Sequence, residues 1–208
     1  GGTFAGQLAV WDVVNEERAN HDVMDNLAEG DMAMVDWFQQ AQAADPSSAR
    51  YINDYGILSS AGGTNTSNQQ NYFNTIQFLL NNNTPVDGIG FQSHFREGDL
   101  TGPEQLWTIL DNFQTLGLDM QITEFDFDTS NEQLQAEFTR DFLTAKLAHE
   151  GIDDMVFWGF WEDAHWRPSA ALFRSDWSVK PNGQAYLDLV FDAWWTSEQL
   201  LTESDGSA

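Results

Sequence analysis

Trp11–Glu16 reads WDVVNE, a short apolar run that stops abruptly at an amide and a carboxylate, and this build constrains the fold most. Leu8, Ala9, Val10, Trp11, Val13 and Val14 have the make-up of a buried strand. The same build recurs at RYIND (50–54) with Tyr55-Gly56 at its exit, and at GIGFQ (88–92), which ends in Ser93-His94. It returns at Leu118–Thr123, which runs into Glu124, and at Met155–Trp158. Between these runs, apolar residues fall at helical spacing. Met32, Met34, Val35, Trp37, Phe38 and Ala41 predict a helix of about fourteen residues, ended by Asp45-Pro46. Tyr72, Phe73, Ile76, Leu79 and Leu80 predict a second, stopped by Asn81–Asn83 and Pro85. A third is predicted over Pro103–Leu116, with Leu106, Ile109, Leu110 and Phe113 on one face. The pattern Ser130-Asn131-Glu132-Gln133 reads as a capping box that opens a fourth, running to Glu150. A fifth spans Gly183–Trp194, while 17–30 and 59–68 read as a polar stretch and a flexible connection. Strands alternating with helices mean βα units and a parallel sheet, whose chemistry sits at the strand C-termini. Neither GxGxxG nor GxxxxGK occurs, which argues against a nucleotide fold.

Charge narrows the partners. The 208 residues carry 33 Asp and Glu against 8 Lys and Arg, for a net charge of −25. A surface of that sign repels phosphate, so neither nucleic acid nor an anionic membrane surface is an expected partner. The acids are scattered rather than gathered in one tail, so they read as a solvated surface, and a high-salt habitat is an expectation that follows. No cysteine is present, which removes disulfide and thiolate chemistry. The N-terminus GGTFAGQLAV has no basic region, and no apolar run approaches the roughly 20 residues of a membrane span. Asp126, Asp128, Ser130 and Glu137 have spacings like those of a calcium loop. Asn131 stands where that loop needs glycine, however, and the helix cap explains the segment better, so no metal is expected.

Polar groups collect at the five strand ends: Asn15 and Glu16; Asn53, Asp54 and Tyr55; Gln92 and His94; Glu124 and Asp126; Trp158, Glu162, Asp163 and Trp166. On one face of a parallel sheet they describe a pocket with two carboxylates, amides, an imidazole and flat rings. Two carboxylates flanking an inter-sugar bond are the working parts of glycoside hydrolysis, one as acid and one as base or nucleophile. Aromatic rings serve the apolar faces of sugars.

WDVVNE, RYINDYG, GIGFQSH, QITEFDF and VFWGFWEDAHW together resemble, in order and spacing, the strand-four to strand-eight signatures of family-10 glycoside hydrolases, the (β/α)₈ endo-1,4-β-xylanases. The resemblance covers residues 7 to 194. It implies an α/β fold, a TIM barrel of which this chain supplies about five βα units. Residues 1–194 would be the C-terminal portion of a catalytic barrel, and 195–208 an acidic tail or linker. It further implies a retaining mechanism, with Glu16 as general acid/base and Glu124 as nucleophile. Asn15 would bind the substrate 2-hydroxyl, His94 would orient the nucleophile, Gln92 would tune the acid/base, and Asp126 would brace the nucleophile loop. Tyr55 would line the leaving-group side, and Trp158 and Trp166 the glycone side. No cofactor is implied; the implied substrates are xylan and xylo-oligosaccharides, met outside the cell. His165 departs from the family's usual Ser and is expected to alter the glycone subsites, Phe160-Trp161 adds bulk to the same loop, and Tyr55-Gly56 replaces the commoner Tyr-Asn.

The family's first three strands have no counterpart before WDVVNE. Five strands do not close a barrel of shear eight. The unpaired edge is expected to meet a second polypeptide carrying strands one to three, to belong to a truncated sequence, or to self-associate. Rival readings are another two-glutamate barrel, such as a cellulase or mannanase, and a non-catalytic carbohydrate-binding fragment.

Overall fold

The computed structural model describes residues 3–197. The strands are β1 (Val10–Asn15), β2 (Ala49–Asp54), β3 (Gly88–Phe91), β4 (His94–Arg96), β5 (Asp119–Asp128) and β6 (Ile152–Phe157). The helices are α1 (Asp22–Asp25), α2 (Met32–Ala44), α3 (Ser67–Asn81), α4 (Pro103–Gln114), α5 (Glu132–Leu147) and α6 (Pro181–Asp188). All strand pairings are parallel: β1 with β2, β2 with β3, β3 and β4 with successive halves of β5, and β5 with β6. This is an arc of a (β/α) barrel with five strand positions, one of them shared by β3 and β4, and with β1 and β6 at its ends. The helices cover one face. Phe91, Phe95, Phe113, Phe125 and Phe142 pack there with Tyr72, all buried. Tyr72 reaches the sheet itself, its hydroxyl lying 2.8 Å from Ile52 O and 2.9 Å from Gly90 O.

Several details differ from the sequence expectation. The third strand breaks at Gln92-Ser93, because Ser93 takes a left-handed φ of 68°, and resumes as β4 beside Asp126–Asp128. The strand expected to stop before Glu124 continues to Asp128, so Glu124 projects from within β5. The cap of α5 is Asn131 rather than Ser130: Asn131 Oδ1 accepts from Leu134 N at 3.1 Å. A true capping box sits instead at Thr66, which accepts from Gln69 N while Gln69 Oε1 accepts from Thr66 N. The stretch 59–68 is therefore not a loose connection; Thr101 Oγ1 also ties Ser60 and Leu58 O together. The polar stretch after β1 contains the single turn α1, and the last helix starts at Pro181 and passes into a π-helical turn over Leu189–Ala193. The acidic tail beyond 197 lies outside the described residues. Among the described residues there is no group of ligands that could hold a metal ion, and no helix long and apolar enough to cross a membrane.

Candidate active site

Why the side chains converge begins with two glycines. Gly88 and Gly90 of β3 pair with Tyr51 and Asn53 of β2. A Cβ at Gly90 would come within 2.4 Å of Asn53 Oδ1, and one at Gly88 within 2.1 Å of the Tyr51 ring. The absent side chains make room for the Tyr51 ring at Gly88 and for Asn53, which is fully buried, at Gly90. Asn53 Nδ2 donates to Glu124 Oε1 at 2.9 Å and to Asn15 Oδ1 at 3.0 Å, and its own Oδ1 accepts from Thr123 Oγ1 at 2.7 Å.

On the other side of Glu124, His94 Nε2 lies 3.2 Å from Oε2. The His94 ring is held between two carboxylates, with Nδ1 3.0 Å from Asp126 Oδ1. Burial pushes the His94 imidazolium to lose its proton, but its contacts with Asp126 and Glu124 outweigh burial, and its pKa is raised. Asp126 also accepts from Trp166 Nε1 at 2.6 Å, which fixes that indole 4.8 Å from the His94 ring. Trp158 meets the same imidazole edge-on at 6.3 Å. Arg167 caps Trp166 from 4.0 Å, a cation–π contact that leaves the indole 54% exposed.

Glu16 leaves β1 with a left-handed φ of 56°, and its N–H makes the last rung to Asn53 O at 2.9 Å. That conformation is costly for a residue with a Cβ and persists because contacts hold it. Gln92 Nε2 supplies one, donating to Glu16 Oε1 at 2.9 Å and reaching Asn15 Oδ1 at 3.2 Å. Among the described residues, the second oxygen, Oε2, has only a 3.4 Å contact from Asn20 Nδ2. Asn15 thus receives two donors on its carbonyl oxygen, which leaves its NH₂ as the group able to donate outward. An unbroken chain of amides, Gln92, Asn15 and Asn53, connects the two glutamates.

Glu16, Tyr55, Gln92, His94, Glu124, Trp158 and Trp166 line one cleft of about 590 Å³, with Arg96, Asp99 and Arg167. Of the polar groups expected there, Asp126 lies beneath His94, and Asp54 turns inward from the end of β2, 2% exposed. Glu162 and Asp163 leave the cleft to hold Ser175. His165, expected to alter the glycone subsites, is buried under Gly159, whose missing side chain accommodates the ring, and does not line the cleft. The residue that sequence reasoning under-weighted is Asn53: it was visible as a strand-end amide, but its contact with Glu124 comes from a register that only the sheet supplies.

Fold and side chains together define a class: a parallel α/β barrel segment with two glutamates, joined by hydrogen-bonded amides and flanked by indoles, at its strand C-termini. The model of glycosyl hydrolase family 10 matches residues 1–189, and the chain belongs to that family. It is 28% identical to the anti-sigma-I factor RsgI6 of Acetivibrio thermocellus, across 99% of this chain and 26% of that protein. It is 29% identical to endo-1,4-beta-xylanase 2 of Arabidopsis thaliana, across 89% of this chain and 17% of that one. Xylanase 10B from Thermotoga petrophila RKU-1, solved in complex with xylobiose, superposes with a TM-score of 0.80 at 26% identity, covering 92% of this chain and 62% of its own. The chain spans less than two thirds of each of these relatives.

Proposed function

We propose that this chain is the acid/base and nucleophile portion of a retaining endo-1,4-β-xylanase. The observation that carries the reading is the unequal support of the two glutamates. Both Glu124 oxygens have close partners, Asn53 and His94, which hold the carboxylate in one orientation, as an attacking group requires. Glu16 is gripped through one oxygen, and the other is left to carry and deliver a proton. In the first step Glu124 attacks the anomeric carbon and the glycosidic C–O bond breaks as Glu16 protonates the leaving oxygen. In the second, Glu16 takes a proton from water, which attacks the same carbon and releases Glu124. Asn15 NH₂ donates to the sugar 2-hydroxyl, Tyr55 faces the leaving group, and Trp158 and Trp166 enclose the glycone.

A carboxyl separation of about 5–5.5 Å is expected for retention of configuration. The test is a pair of substitutions. Glu124→Ala abolishes hydrolysis of xylan and keeps oligosaccharide binding. Glu16→Ala is slow on xylan but partly active on aryl xylobiosides, whose leaving group needs no proton. Full activity in either variant overturns the roles, and faster turnover of carboxymethyl-cellulose than of xylan overturns the substrate. We further propose that the protein acts outside the cell, and that barrel strands one to three, from a second polypeptide or another part of a longer chain, pair with β1 and β6.

A second reading is a carbohydrate-binding module without turnover. It is favoured by the relative named as an anti-sigma-I factor rather than as a hydrolase, which matches nearly this whole chain. Binding of xylo-oligosaccharides by a chain that hydrolyses neither xylan nor aryl xylobiosides would select it.

A further inference from the structure

Outside the cleft, the loop after β6 builds a second aromatic surface. Trp161 and Trp177 stack with ring centroids 5.1 Å apart and planes 9° from parallel. Phe160 lies 6.3 Å from Trp177, and Phe173 closes the group beneath them at 6.5 Å from Phe160. Phe160 is 54% and Trp177 57% exposed, so the outer two rings are open to solvent. None of the four lines the cleft.

The backbone under Trp177 sets this ring apart from the other exposed aromatics of the described residues. Arg174–Trp177 is a tight turn, closed by Trp177 N–H donating to Arg174 O at 2.9 Å, and Arg174 N–H donates to Ser178 O at 2.9 Å. The last residue of a turn closed this way adopts the left-handed region and is ordinarily glycine or asparagine. Here it is Trp177, with φ 67°. A bulky residue in that conformation is a backbone outlier, and outliers of this kind concentrate at ligand-contacting positions. A hidden indole would compensate by burial; this one is more exposed than not. Trp161 backs one of its faces and is itself anchored through Nε1 to Ser175 O at 3.3 Å.

The surroundings select the ligand. The same loop carries Glu162 and Asp163, which hold Ser175, and Asp176, which accepts from Ser178 N, while the Arg174 guanidinium is taken by Glu132 through two bonds of 2.6 and 2.9 Å. Anionic ligands are repelled, while carboxylates accept from hydroxyls and flat rings accept the axial C–H faces of equatorially substituted pyranoses. Gly159 alone separates Phe160 from the cleft residue Trp158.

We propose that Phe160, Trp161 and Trp177 form a second, non-catalytic platform for a neutral β-1,4-linked polysaccharide chain, adjoining the cleft. The proposal rests on the polysaccharide reading above, and its test separates the two. In a Glu124→Ala background, retention of the full chain in native gels containing soluble xylan is compared with and without Trp177→Gly. Glycine suits φ 67° without strain, so the turn survives the change. Retention is expected to weaken by about fivefold, the scale of one lost ring contact. Phe160→Ala, which leaves the turn untouched, reproduces the loss. Turnover of an aryl xylobioside by the single variants Trp177→Gly and Phe160→Ala stays at the wild-type rate. Unchanged retention in both variants overturns the platform, as does retention on polygalacturonate equal to that on xylan. A loss confined to Trp177→Gly and accompanied by reduced turnover also overturns it, since it marks a structural role. If no polymer retains the protein while aryl xylobiosides are still cleaved, the platform fails and the cleft assignment stands.

Discussion

Replacing Asp54 by Asn should stabilise this protein at neutral pH and do little at pH 4. Asp54 ends β2 with its side chain almost wholly buried, and one oxygen accepts from Tyr55 N at 2.7 Å. Burial lifts the carboxyl from 3.8 to about 6; the Tyr55 N–H and the Arg18 charge pull it down, and the charges of Glu17 and Glu16 push it further up. The sign follows from linkage. In the unfolded chain Asp54 ionises near pH 4 at no cost, whereas in the folded chain ionisation is resisted until about pH 6. Stability is therefore lost as pH rises through this window, and the penalty is complete above it. Two powers of ten in proton affinity, at about 1.4 kcal/mol each, amount to about 3 kcal/mol at pH 7.5, against about 0.5 kcal/mol at pH 4. Asn keeps the oxygen that Tyr55 binds and carries no charge, so it removes the penalty, less the cost of seating an NH₂ in a buried position. Urea unfolding of both proteins at pH 4 and 7.5, with equal m-values, measures the difference. A stability gap that does not grow with pH, or a variant less stable at pH 7.5, would refute the reasoning.

Other outcomes follow from the same structure. His94 is raised by Asp126 and Glu124 against burial, so it contributes stability that is full below its unfolded value near 6.5 and fades as pH rises through its higher folded value. His94→Gln should therefore be more destabilising at pH 6 than at pH 9 in urea unfolding, and an equal loss at both would remove the charge from the account. With a net charge of −25, thermal unfolding should shift upward between 0.05 and 1 M NaCl, where screening shortens from over 10 Å to about 3 Å. A melting temperature indifferent to salt would show that self-repulsion is unimportant.

Much of the architecture was legible from the chain because period and punctuation are local properties. Apolar runs at 8–14, 50–54, 88–92 and 118–123 became strands, the run expected at 155–158 became a strand that starts earlier, at Ile152, and stops short of Trp158, and the 3.6-residue spacing after each became helices. Glu16, Tyr55, Gln92, His94, Glu124, Trp158 and Trp166 in the cleft were legible too, since a parallel βα repeat puts every strand's C-terminus on one side, whereas Arg96, Asp99 and Arg167 were not. Ends were less legible. Glu124 lies inside its strand because β4 and β6 flank β5 beyond Ile122, and Ser130 yields the cap to Asn131 because Thr129 Oγ1 binds Asn131 N at 2.9 Å.

By itself, then, the sequence determined that WDVVNE and QITEFDF each carry an apolar run into a carboxylate, because those statements depend only on neighbours along the chain. Tertiary structure decided how the two glutamates are held. The amide chain through Gln92, Asn15 and Asn53 needs β1, β2 and β3 in one register, and it needs Gly90 to leave space that only the neighbouring strand fills. It also decided that His165 is buried under Gly159 while Trp177 faces water, since burial is set by what packs from distant parts of the chain.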